Sequence, residues 1–141
     1  MNIRKLTFLL GTVGALLAFV SILFPWYNVS GFSFTLLSSV QSSPCPKSGY
    51  CELIPVSPIL IVAFICTVLG GSFGIFSTVL HRRSAKFSRI LLILGFVSIV
   101  VGVVISLSDA IVREGLSIGF YTDSFSAVLF MIHMVSEVVK A

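Results

Sequence analysis

Basic residues stand in three clusters, at Arg4 and Lys5, at Arg82 to Arg89, and at Lys140, and long apolar runs separate them. A helix of about 20 apolar residues matches the hydrocarbon thickness of a bilayer. The runs are that long, so they predict helices that cross lipid. Of the 141 residues, 57% are hydrophobic and 10% charged, against about 25% charged in an average soluble protein. Four spans and one ordered loop use nearly the whole length, which predicts a single integral membrane domain, residues 1–141.

The spans are expected at about 3–24, 58–80, 87–114 and 122–139, with an outer loop over 25–57. The first run resembles a secretion signal because Arg4 and Lys5 precede it. It is longer than a typical signal core of about 7–15 residues, and no small-residue cleavage site follows it. It is therefore expected to be retained as a span. Pro25 ends it, since proline cannot donate into a continuing helix, and Trp26 and Tyr27 suit the headgroup level. Ser57-Pro58 announces the second span as an N-cap hydroxyl followed by proline at the first helical position. The third span is expected to run past Asp109 and Arg113 to a C-terminal cap at Gly115.

Orientation follows from Lys and Arg, which accumulate on the cytoplasmic side. With both termini and the 81–89 connection inside, all basic residues except Lys47 and Arg113 are cytoplasmic. A multi-pass protein of the cell membrane with cytoplasmic termini is expected. The positive charge belongs to span ends meeting headgroups, and it does not indicate nucleic acid.

Helices associate in lipid through close backbone approach and polar contacts. Small residues recur at i+4 along the second span (Cys66, Gly70, Gly74, Thr78). The first span has Gly11 and Gly14, and the third has Gly95 and Gly102. These six glycines are the candidate packing residues, with the second span central. The stripes either pack this bundle or dock a partner subunit.

In the outer loop, Phe32-Ser33-Phe34-Thr35-Leu36 alternates apolar with polar, the pattern of a half-buried strand. Ser30-Gly31 is a turn after a short Trp26–Val29 strand. Leu116-Ser117-Ile118-Gly119-Phe120-Tyr121 alternates likewise, so both outer loops are expected to build one small extracellular sheet. Cys45 and Cys51 enclose a tight turn and are expected to oxidise outside the cell, stabilising the loop by about 2 kcal/mol. Metal ligation by the pair lacks further Cys or His nearby. Asn28-Val29-Ser30 is a glycosylation sequon.

The stretch Phe24-Pro25-Trp26-Tyr27-Asn28-Val29-Ser30-Gly31-Phe32 is similar to the one that follows the first span in the claudin and peripheral-myelin-protein group, where a proline-tryptophan phrase leads to Val, Ser/Thr and Phe. The four-span layout resembles that group throughout. The resemblance implies cytoplasmic termini, a first outer loop with a disulfide, a long third helix and one outer sheet fed by both loops. The family's Gly-Leu-Trp before its first cysteine is absent, and the Cys45–Cys51 spacing is shorter.

Nucleophile motifs, phosphate loops and paired carboxylates are missing, so no catalytic residue, cofactor or metal site is assigned, and no enzyme is expected. The ionisable content lies on the fourth span, where Asp123, Ser126, His133, Glu137 and Lys140 fall near one face. Polar residues inside a membrane tend to face protein or water. His133 with Glu137 is therefore a bonding face within the bundle, a docking face for a partner, or a proton or haem site. For haem, His81 is a poor second ligand, being about 10 Å nearer the cytoplasm than His133 along the bilayer normal. These readings predict a non-enzymatic accessory or structural subunit of a larger integral-membrane complex, a respiratory one among the candidates. The alternatives are claudin-like self-assembly through outer loops and a small proton or ion pathway. The expected partners are the lipid bilayer and other membrane subunits or copies of the chain.

Overall fold

The computed structural model describes residues 3–29, 32–36, 58–81, 83–109 and 115–139. In chain order it contains α1 (Ile3–Leu23), β1 (Pro25–Val29), β2 (Phe32–Thr35), α2 (Pro58–Leu80), α3 (Ala85–Ser106) and α4 (Ile118–Val138). All four helices are long and apolar enough to cross a membrane. This is the architecture of a multi-pass membrane protein.

The distribution of side chains supports that conclusion independently. Large apolar residues such as Leu9, Leu16, Phe76, Val104 and Phe125 point outward, whereas Ser21, Thr67, Ser77, Ser88, Asp123, Ser126 and His133 are buried. A water-soluble domain sorts its residues the other way. With lipid outside, an outward Leu costs nothing and a hydroxyl gains by turning toward a neighbouring helix.

Contacts run around a ring. α2 packs most extensively on α3, and α1 on α4, and the α1–α2 and α3–α4 contacts close the circuit. No helix is central, contrary to the expectation for the second span. Opposite helices meet through side chains reaching across the middle, as Asp123 and Phe130 of α4 do toward Thr67 and Gly74 of α2. β1 and β2 lie at one end, called here the sheet end, and β1 rests on α4 and the end of α1. The α2–α3 turn marks the other end.

Two helix boundaries depart from expectation. α3 stops at Ser106, with Leu107 as its C-cap. There Ser106 Oγ donates to the Val103 carbonyl at 2.7 Å and Ser108 Oγ to that of Ile105 at 2.6 Å. Serine hydroxyls compete for final-turn carbonyls in this way and favour helix ends. Gly115 is therefore not the cap of α3. Its carbonyl accepts the Asn28 N–H at 2.9 Å, and a Cβ there would strike the Asn28 backbone.

α4 begins at Ile118, earlier than expected, and absorbs most of the alternating segment. Its buried residues are Gly119, Phe120, Asp123, Ser126, Leu129, Phe130 and His133. They repeat at helical spacing over the whole element, and that long period overrides a six-residue alternation.

The sheet is accordingly smaller than expected. β1 and β2 pair antiparallel, from Pro25 with Thr35 to Val29 with Phe32, and the register shifts between Pro25 and Tyr27. Among its described residues the second connection supplies one bridge, Leu116 to Tyr27, and no strand. The irregularity falls at Trp26. Bulges commonly re-aim a side chain, and here the fully buried Trp26 indole joins a core with Ile22, Leu36, Leu60 and Phe120.

Candidate functional site: the polar interior of the bundle

A phenylalanine divides the interior. Phe130 of α4 is fully buried, and a Cβ added at Gly14 of α1, Gly74 of α2 or Gly95 of α3 would press on its ring. Three helices thus present glycine to one aromatic side chain of the fourth. Gly70 and Gly95 bring α2 and α3 together directly: a Cβ on Gly95 would stand 3.0 Å from the Gly70 carbonyl oxygen. Gly102 lies against Cys66 and the Ala63 carbonyl.

Toward the sheet end lies Asp123, fully buried. It is five residues into α4, about 8 Å along the axis. Ser21 Oγ of α1 and Thr67 Oγ1 of α2 each lie 3.2 Å from one of its carboxyl oxygens. Ser21 Oγ also donates to the Ala18 carbonyl at 2.7 Å, and Thr67 Oγ1 to that of Ala63 at 3.0 Å. One side chain of α4 therefore ties α1 to α2. Directly above, Trp26 Nε1 donates to the Ser21 carbonyl at 2.8 Å, and the indole meets Phe120 edge-on at 5.9 Å. One turn deeper, Ser126 Oγ donates to the Gly14 carbonyl at 2.7 Å.

Beyond Phe130 lies His133, buried against Gly11, where any Cβ would collide with the imidazole. Phe8 meets the His133 ring edge-on at 6.3 Å and the His81 ring at 5.7 Å. Both imidazoles thus have the same phenyl ring as neighbour. Glu137 is half-buried near the end of α4. Among the described residues, no three His, Cys, Asp or Glu side chains gather to hold a metal ion.

Helical spacing puts Asp123 on the polar face of α4, whereas its hydroxyl partners come from two other helices and carry no mark in the sequence of α4. On α2 the buried line is Thr67, Gly70, Gly71, Gly74 and Ser77, with Cys66 only half-buried. A strict i+4 stripe drifts around the helix, because four residues turn about 400°. Alternating i+3 with i+4 steps holds one face, and that spacing points to Thr67 and Ser77.

Asn28 is exposed, and its Nδ2 donates to Ser117 Oγ at 3.4 Å. Cys45, Cys51 and Ser30 of the sequon lie outside the described residues. Compared with protein-family models, curated proteins and solved structures, the chain matches none.

Proposed function

We propose that the chain is a non-enzymatic accessory or structural subunit of a larger membrane assembly, engaging its partner through the segment between β2 and α2. One observation carries this reading: glycines from three helices close on Phe130 of the fourth. The small-residue faces are thereby used within the bundle, and His133 is turned inward. What remains outward on the helices is apolar and suited to lipid. The sequence between β2 and α2 holds Lys47, Tyr50 and the Cys45–Cys51 pair.

In this reading the termini and the basic α2–α3 turn face the cytoplasm, because Lys and Arg favour that side. The sheet and the Cys45–Cys51 disulfide are then extracellular. Self-assembly of copies through the same segment is the second reading, favoured by the short strands beside it. A continuous proton or ion pathway along α4 is disfavoured, since the Phe130 ring separates Asp123 from His133.

Purification in mild detergent followed by native mass spectrometry tests this. A hetero-complex that dissociates when residues 38–56 are replaced by a Gly-Ser linker supports the subunit reading. A homo-oligomer dissociated by the same change transfers support to self-assembly. A lone monomer before the replacement overturns both.

A further inference from the structure

We infer that the Asp123 node is a proton-binding site inside the bundle, shared by α1, α2 and α4. The geometry is rich in acceptors and poor in protons. Two hydroxyl protons, of Ser21 and Thr67, stand among four acceptor oxygens: both carboxyl oxygens and the carbonyls of Ala18 and Ala63. Each hydroxyl lies closer to its own helix's carbonyl, at 2.7 and 3.0 Å, than to the carboxyl group at 3.2 Å. A hydroxyl has one proton, so both cannot serve the carboxylate without giving up the shorter bonds. One proton on Asp123 relieves the conflict at one of the two hydroxyls. The acid O–H donates to one hydroxyl oxygen, and that hydroxyl keeps its own proton on the helix carbonyl.

Among the described residues no cation bonds to Asp123, whose hydrogen-bond partners are the two hydroxyls. From α1 the side chain facing Asp123 is Ser21, and from α2 it is Thr67, followed by Cys66 on the neighbouring face. α3 has no ionisable residue between Ile90 and Ser106. β1 brings Trp26, whose Nε1 donates to the Ser21 carbonyl, and on α4 itself His133 is about 15 Å away along the axis. A carboxylate within a span needs a partner charge or a proton, and among the described residues only neutral groups hydrogen-bond this one. With Phe130 closing the side toward His133, the node is a terminal site rather than part of a path.

Asp109 and Asp123 are the two aspartates of the sequence. An Asp109→Asn chain labelled with carboxyl-13C aspartate therefore reports Asp123 alone, with the node unchanged. Infrared spectra of this protein in detergent at neutral pH are expected to show the labelled group as a protonated acid. The band should shift in Ser21→Ala, where a hydrogen-bond partner is lost, and should stay the same when sodium is exchanged for choline. A labelled carboxylate at neutral pH overturns the inference. So does an acid band that appears only when sodium is withdrawn, because the occupant is then a metal cation.

Discussion

Ser77 of α2 and Ser88 of α3 exchange hydrogen bonds, each hydroxyl donating to the other's main-chain carbonyl at 2.8 Å, with the two oxygens 3.1 Å apart. The pair lies beside the α2–α3 turn and fixes the register of the most extensive helix contact. Interhelical hydrogen bonds in membranes are worth about 0.6 kcal/mol on average and up to about 2. Ser77→Ala or Ser88→Ala is expected to cost about 1 kcal/mol in reversible unfolding from mixed micelles. The double variant should cost less than the sum of the two, because each hydroxyl positions the other.

Phe130 should be the most sensitive position in the membrane. Truncating a buried phenylalanine to alanine costs about 3–5 kcal/mol in cores that cannot collapse, and the glycine backbones of α1, α2 and α3 have no side chains to fill the space. Phe130→Ala is expected to lose most of the folded population. Gly74→Ala places its Cβ on the Phe130 ring and against Ala15, an overpacking worth about 1–3 kcal/mol. Combining Gly74→Ala with Phe130→Leu should recover part of that loss, measured as a negative coupling energy in the same unfolding assay.

The spans were legible because lipid leaves few options: a long apolar run must form a helix, and the Pro58 start of α2 carries its own chemical mark. Ends and small strands were less legible. Alternation over Leu116–Tyr121 has the period of a strand, yet Gly119 and Phe120 enter helix because Trp26 occupies the surface they cover. The α3 terminus rests on Ser106 and Ser108 bonding backwards, a choice that sequence periodicity does not encode. The Asp123 node joins residues from three helices far apart in the chain, and only tertiary packing brings Ser21 and Thr67 to one carboxyl group. Gly14, Gly74 and Gly95 were visible as small residues, but nothing local reveals that one phenylalanine is their common neighbour.

Gly11 and His133 form a second complementary pair, at the opposite side of Phe130. A methyl group at position 11 would overlap the imidazole, so Gly11→Ala should push α1 away from α4 and destabilise by about 1–3 kcal/mol. Because the obstacle is a side chain, shortening it makes room. Gly11→Ala with His133→Ala is expected to be more stable than Gly11→Ala alone in a thermal-shift measurement. No such rescue should occur with Gly102→Ala, whose neighbours include the Ala63 carbonyl.

Trp26 is the sole tryptophan, so its fluorescence reads the junction between sheet and bundle directly. Its ring is fully buried, and blue-shifted emission is expected from the folded protein in detergent. Gly119 lies beneath it: a Cβ there would meet the indole and also stand 2.8 Å from the carbonyl oxygens of Phe24 and Pro25. Backbone atoms cannot rotate out of the way as a side chain can. Gly119→Ala should therefore separate β1 from α4 and move the emission to the red. Trp26→Phe removes the bond to the Ser21 carbonyl together with part of the buried ring, so a loss of about 1–3 kcal/mol is expected in reversible unfolding followed by circular dichroism. A red shift of equal size in Gly14→Ala, which does not touch Trp26, would show that the emission follows general loosening of the bundle instead of this contact.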